Sequence, residues 1–186
     1  MKKIISLFKR NYDGDWLVRD EVVDCAEWVI AGEGVATRKF DGTCCKVEDG
    51  QLWKRREVKR GQKPPPGFVP ATEVDPNTGK QQGWVLVDPE DPSDKFFVEA
   101  FDDGIEDGTY ELCGPKVQGN AEGFRRHVLV PHGEYKLEAP RTFDELKDWL
   151  AERDLEGIVW HHPDGRMVKI KKKDFGLKRT GRMVKL

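Results

Sequence analysis

Lys39-Phe40-Asp41-Gly42 puts a lysine at the end of a strand-like run, just before an Asp-Gly turn that exposes it. A free lysine, with a pKa of about 10.4, is almost wholly protonated at neutral pH and cannot attack an electrophile. Chemistry at Lys39 therefore requires nearby cations or desolvation to lower that value, and Lys169 and Lys171 are the obvious sources of positive field. Taken alone, Lys39 reads more readily as a surface residue ahead of a turn. Its weight comes from the ordered series that follows: Lys54-Arg55-Arg56, Tyr110-Glu111-Leu112, Glu156-Gly157-Ile158-Val159-Trp160 and Lys169-Ile170-Lys171.

The elements that must position these residues are short and β-rich. Thr43 to Lys59 holds two strand-like runs around Asp49-Gly50, a strong hairpin signal. Gly61 to Gly83 carries five prolines and no periodic pattern, which predicts a long surface loop, a lid or substrate-contacting segment. The spacing predicts a helix from Thr142 to about Asp154. Thr142 and Glu145 have the capping-box spacing, and Phe143, Leu146, Trp149 and Leu150 repeat at helical intervals. A second hairpin follows, from Leu155 to Trp160 and from Arg166 to Lys171, turning at Pro163-Asp164-Gly165. Pairing Trp160 near Met167 sets Ile158 opposite Lys169 and Glu156 opposite Lys171, so that an acid and two lysines share one face. The fold class expected is α+β, built on antiparallel sheets with few helices.

At 186 residues the chain is expected to be a single domain, 1–186. No apolar run approaches the roughly eighteen residues that cross a bilayer, and the IISLF core of the opening segment is too short for a signal peptide. No membrane association and a cytoplasmic location are expected. Cys25, Cys44, Cys45 and Cys113 form no CxxC pair, so reduced thiols and no structural zinc are expected. The net charge of -2 hides a segregation: Leu86 to Leu112 holds ten acids and only Lys95 as a base, whereas Lys169 to Leu186 holds eight bases and only Asp174 as an acid. That basic end keeps nucleic acid among the partners.

The ordered series resembles the motifs of the covalent nucleotidyltransferases, the superfamily of ATP-dependent RNA and DNA ligases and mRNA capping enzymes. The local wording of Lys39 to Cys45 (KFDGTCC), the PPPGF to GW loop and Glu111 to Asn120 (ELCGPKVQGN) is similar to the RNA ligase 1 family, which includes the vertebrate 5′-3′ RNA ligase. The resemblance runs from about Val35 to Phe175. It implies an antiparallel-sheet nucleotidyltransferase domain, ATP-grasp-like and of the ligase adenylation type. With fifteen residues after Lys171, no OB-fold or helical C-terminal appendage is expected.

The resemblance further implies an ATP-dependent, AMP-forming RNA ligase, suited to RNA repair. Lys39 would attack the α-phosphorus of ATP to give lysyl-AMP, the AMP would pass to the 5′-phosphate of an RNA end, and a 3′-hydroxyl would then expel it. Lys39, Asp41, Lys169 and Lys171 are the catalytic candidates. Thr37, Arg38, Arg55, Arg56, Glu111 and Glu156 join the lysines around the nucleotide, with one of Arg55 and Arg56 on the ribose or donor phosphate. Glu111 and Glu156 are the candidate ligands for Mg²⁺ (or Mn²⁺). Phe124, His127 and His132 are candidates to stack on adenine, and His161 and His162 are given no metal role. Arg38 stands where phage-type RNA ligases often carry Glu, and Cys44 where DNA ligases and capping enzymes usually carry Arg. The partners expected are RNA ends, bound by a monomer through the Lys54 to Lys63 stretch and the basic tail. A minimal ATP-dependent DNA ligase and a non-catalytic nucleic-acid-binding module are the alternatives.

Overall fold

The computed structural model describes residues 4–76 and 78–179. Arg182 and Lys185 of the basic tail lie outside them. The chain groups into two compact units, one spanning Asp41–His132 and the other formed by Ile4–Phe40 with the segment from Gly133 onward. These are the central and terminal units, respectively.

In chain order, the terminal unit contributes β1 (Ile5–Ser6), β2 (Phe8–Arg10), β3 (Val18–Val22), α1 (Glu27–Ile30) and β4 (Val35–Lys39). The central unit follows with β5 (Thr43–Glu48), β6 (Gln51–Val58), β7 (Val69–Pro70), β8 (Gln81–Leu86), α2 (Lys95–Ala100), β9 (Gly108–Cys113) and β10 (Val128–Pro131). The chain then returns to the terminal unit for α3 (Phe143–Ala151), β11 (Gly157–His161) and β12 (Met167–Lys171). The expected α+β class, with few helices and mainly antiparallel sheets, is what the chain adopts; only β1 against β12 is parallel among the described pairs.

The sheet of the terminal unit runs β1-β12-β11-β4. Side chains alternate across it, so Ala36, Ile158, Trp160, Val168 and Ile170 fall on one buried face, packed with Leu7, Phe8, Leu146 and Leu150. Phe8, Phe143 and Phe175 close this core edge to face, at centroid distances of 5.0 to 6.3 Å. The opposite face takes Thr37, Lys39, Val159, Lys169 and Lys171, the residues of interest.

Two sequence expectations are corrected here. Gly157 pairs with Lys171, Ile158 with Ile170 and Val159 with Lys169, one residue away from the expected pairing. Ile158 is wholly buried beside Trp160, and a one-residue slip would have carried that apolar pair to the other face, so burial sets the register. The helix ends at Ala151 rather than near Asp154, and the Thr142 hydroxyl donates to the Glu145 carboxylate (2.5 Å) instead of capping a backbone amide. The helix C-terminus is held by a lysine instead: Lys172 is 2% exposed and donates to the Ala151 and Arg153 carbonyls at 3.3 and 2.7 Å. Arg179 pairs with Asp154 at 3.3 Å. Part of the basic tail assigned to RNA is therefore structural.

The central unit is a sheet ordered β10-β9-β5-β6-β8-β7. Cys45, Val47, Leu52 and Leu112 line its buried face beneath Phe97 of α2. Lys54 belongs to this face too, 5% exposed, with both carboxylate oxygens of the buried Asp94 as partners. Lys54 is thus a core ion pair and not part of an RNA-binding stretch. The β5–β6 hairpin forms as expected. Asp49 and Gly50 both take positive φ (52° and 68°), the form a two-residue hairpin turn requires, and their amides donate to Asp107. The proline-rich segment is not all loop: Val69–Pro70 pairs with Trp84 and Gly83 as an edge strand, a place where the missing amide of proline costs no ladder bond.

Candidate active site

In the terminal unit, Gly157 is the residue that brings the lysines together. It pairs with Lys39 on β4 and with Lys171 on β12. A Cβ at position 157 would lie 2.2 Å from the Ile170 carbonyl oxygen, so only glycine lets the strands approach this closely. Glu156, one residue earlier, reaches both neighbours. Its Oε2 accepts from Lys39 Nζ at 2.5 Å and its Oε1 lies 3.1 Å from Lys171 Nζ. All three side chains are 20% exposed or less, which leaves the ion pairs poorly screened by water.

Lys169 is the third lysine of this cluster. Burial, then the charges of Lys171 and Lys39, bring its pKa from 10.5 down to about 8, with Glu156 and Asp174 opposing. Burial pushes the Glu156 carboxyl up, but the Lys39 and Lys171 ammoniums outweigh it and hold the group below its ordinary value. The site is thus a carboxylate kept ionised among more ammoniums than it can neutralise. Thr37 shares the face: its buried hydroxyl lies 3.2 Å from the Val159 carbonyl, to which it donates, and 3.0 Å from His161 Nε2. The Arg38 amide donates to Tyr135 O at 2.8 Å, and its guanidinium stands over the Phe40 ring at 4.7 Å, on the alternate side of β4 from Lys39.

In the central unit a second group forms around Glu111. The Gly42 amide donates to Glu111 Oε1 at 3.1 Å, and His132 Nε2 lies 3.0 Å from Oε2. A Cβ at Gly42 would meet the Leu112 carbonyl at 2.2 Å, so this turn also depends on glycine. The amide of Asp41, also in this unit, donates to Glu122 Oε1 at 2.9 Å. Cys44 pairs with Glu111 across β5 and β9, and its thiol, the Glu111 carboxylate and the His132 imidazole place ligand atoms within 4.8 Å of one another. Burial pushes the Cys44 thiol up, Glu111 pushes it further, and Arg55 pulls it back.

Arg55 stands across from Cys44, since Lys54 pairs with Cys45 between β5 and β6. It is half-buried, with its Nε donating to Gln82 at 3.2 Å, while Arg56 alternates to the other face and is exposed. Of the adenine-stacking candidates, His127 is buried and already stacked on Phe96 at 4.3 Å, His132 is held by Glu111, and the Phe124 carbonyl accepts from Asn120 at 3.2 Å.

The residues expected to hold Mg²⁺ do not fit that ion. Both Glu156 oxygens rest on ammoniums, and the Glu111 oxygens serve an amide and an imidazole. The Cys44 thiol and the His132 imidazole grouped with Glu111 offer sulfur and nitrogen, whereas Mg²⁺ takes oxygen. Sequence reasoning treated Cys44 only as a departure and His132 only as a stacker, and it missed Glu122. Their grouping depends on pairings between distant strands that leave no local signal.

A family model described as RNA ligase 1 matches residues 72–185, a stretch that contains Glu111, Glu156, Lys169 and Lys171 and begins after Lys39 and Asp41. RNA ligase 1 of Rattus norvegicus is 26% identical over 219 aligned residues, covering 77% of this chain and 67% of its own. RNA ligase 1 of Danio rerio is 40% identical over 80 residues, 38% of this chain and 25% of its own. The Mus musculus protein of the same name is 26% identical over 219 residues, with the same coverage as the rat protein.

Proposed function

Because the chain belongs to the RNA ligase 1 family and is an ATP-dependent RNA ligase, we propose that Lys39 is the amine that carries AMP during ligation. The observation that carries this reading is the cluster of Lys39, Lys169 and Lys171 around the single carboxylate of Glu156. An amine attacks only when neutral. Burial and the neighbouring ammoniums bring Lys169 from 10.5 down to about 8, and a lowering in this direction is what a lysine nucleophile in the same cluster requires. The same excess of positive charge suits a triphosphate, whose oxygens would replace the missing counterions.

In the first step the neutral Lys39 Nζ attacks the α-phosphorus of ATP. The P–N bond forms, the bond to the β-phosphate oxygen breaks, pyrophosphate leaves, and the amine proton passes to solvent. Glu156 orients Nζ, and Lys169 and Lys171 stabilise charge on the phosphate oxygens as it develops. Mg²⁺ or Mn²⁺ enters as part of the nucleotide substrate. The AMP then moves to the 5′-phosphate of an RNA end and restores the Lys39 amine. A 3′-hydroxyl attacks the activated phosphorus and AMP leaves. Arg55, aligned with Glu111 on the face of the central sheet, is the arginine proposed to contact the nucleotide or donor phosphate. Sealing of broken RNA is the role that fits this chemistry.

Mixing the protein with ATP and a divalent cation should add the mass of one AMP, and Lys39→Ala should abolish the gain. No adduct across Mg²⁺ and Mn²⁺, or an adduct retained in Lys39→Ala, would overturn the assignment. Matched nicked RNA and DNA duplexes test the substrate: efficient sealing restricted to DNA 3′-hydroxyl ends is the result incompatible with it.

A further inference from the structure

We propose that Cys44, Glu111 and His132 form a binding site for a thiophilic divalent cation, Zn²⁺ above all. Two β-sheet pairings and one further backbone hydrogen bond assemble it. Cys44 stands directly across from Glu111 on the neighbouring strand, and Val130 pairs with Glu111 from the other side. His132, two residues beyond Val130 and with its amide donating to Thr109 O at 3.0 Å, returns to the face that Glu111 occupies. One thiol, one carboxylate and one imidazole therefore converge from three segments that are far apart in sequence, with ligand atoms all within 4.8 Å of one another.

The donor set decides which cation fits. A sulfur, a nitrogen and an oxygen suit Zn²⁺ and its neighbours in the transition series, whereas Mg²⁺ and Ca²⁺ call for oxygens alone. With metal–ligand bonds of about 2.0–2.3 Å, tetrahedral geometry sets ligand atoms roughly 3.3–3.8 Å apart. Closing from the observed spacing takes a side-chain adjustment on the order of 1 Å, not a rearrangement of strands. The surroundings are already those of a metal site. Glu111 is 8% exposed, and its Oε1 is fixed by the Gly42 amide at 3.1 Å, the kind of outer contact that orients a ligating carboxylate. Oε2 faces His132 Nε2 at 3.0 Å, where a cation would replace the shared proton. The other imidazole nitrogen, Nδ1, is buried and has no hydrogen-bond partner among the described residues. Three protein ligands leave a fourth position for water or a phosphate oxygen.

The inference is independent of the Lys39 chemistry, and so is its test. The chelator-treated full chain is titrated with Co²⁺ in place of Zn²⁺, and Zn²⁺ is then added to displace it. One equivalent of Co²⁺ should give a thiolate-to-cobalt charge-transfer band with the strong visible absorption of a tetrahedral site, and Zn²⁺ should abolish both. Cys25→Ser, which alters an exposed cysteine elsewhere in the chain, should bind as the wild type does. Cys44→Ser should lose the charge-transfer band. His132→Gln keeps the thiol and should weaken Co²⁺ binding by about tenfold or more. Far-ultraviolet circular dichroism confirms that each variant is folded. Absence of the band in the wild type, a band that survives Cys44→Ser, or wild-type affinity in folded His132→Gln would each overturn the site.

Discussion

The lysine cluster of the terminal unit and the Glu111 group of the central unit each place one carboxylate on the polar face of a sheet, and they use it in opposite ways. Around Glu156 the partners are ammoniums, so the carboxyl is held ionised, while burial and then the surplus positive charge lower the pKa of Lys169. Around Glu111 the partners are an amide, an imidazole and a thiol, and its negative charge helps keep Cys44 protonated. Sheet geometry is common to both: a glycine pressed against a carbonyl in each and an apolar core on the reverse face. The chemistry differs because the partners do. Surplus cations suit a phosphate electrophile, and a mixed sulfur, nitrogen and oxygen set suits a thiophilic metal ion.

The sharpest way to break this contrast is to remove one cation. Lys171→Met should slow formation of the AMP adduct by about 10²–10³-fold, the scale seen when one preorganised charge stabiliser is lost from an active site. Glu156→Gln should also be slow, because Lys39 loses its orienting partner. A single-turnover rate for Lys171→Met within about threefold of wild type would mean that the lysine cluster is not where phosphate charge is stabilised.

The glycines test the shared geometry. Gly157→Ala and Gly42→Ala each drive a methyl to 2.2 Å from a backbone carbonyl, so each should cost about 2–3 kcal/mol. The thermal midpoint should fall by roughly 5–10 °C in each case. A midpoint unchanged in either variant would show that its strands can separate without cost, and the corresponding cluster would lose its reason for being tight.

These two glycines also mark how far the sequence could be read. The β5–β6 hairpin was legible from Asp49-Gly50 because a two-residue turn fixes its own register. The β11–β12 hairpin has a longer connection, and its register follows from burying Ile158 and Ile170 together, which alternation of a mixed apolar strand did not reveal. Convergence of Glu156 with the lysines survived that slip, since Glu156 lies just outside the strand and reaches sideways. The Cys44, Glu111 and His132 group had no signal at all, because β9 joins β5 and β10 only in three dimensions. Lys54 and Lys172 show the converse. They count as surface basicity in the sequence yet are buried, one against Asp94 and the other on helix carbonyls.

A smaller effect concerns stability. Lys169 has a folded pKa of about 8 against an ordinary 10.5, so between those values the unfolded chain holds a proton that the folded chain has released. Stability should therefore rise with pH across that window, and the full penalty should be present below it. Lys169→Met removes the penalty. Allowing for partial exposure of the side chain, the variant should be more stable on the order of 2 kcal/mol at about pH 6.5, with the gain fading as pH approaches about 10. Denaturant unfolding at the two pH values reads the difference. An equal gap at both would mean that the stability change does not come from the Lys169 charge.

The central unit allows the mirror experiment, with the smallest effect. Burial and Glu111 both raise the Cys44 pKa, so at neutral pH the group is a thiol and alkylates slowly. Iodoacetamide should label exposed Cys25 about tenfold faster or more. Glu111→Gln takes away the negative charge and leaves Arg55, which lowers the Cys44 pKa and should speed its labelling by about two- to fivefold, with Cys25 unchanged. Loosened packing would also speed labelling, but it would do so equally at every pH, whereas a lost charge moves the midpoint of the rate–pH curve downward. A midpoint that stays in place would show that Glu111 does not govern the thiol. The same neutralisation applied to Glu156 acts on ammoniums instead. It takes away the charge that raises the Lys169 pKa, so that lysine should titrate lower still. Removing either carboxylate thus moves its neighbour's pKa down, the neighbour being a lysine in the terminal unit and a thiol in the central one.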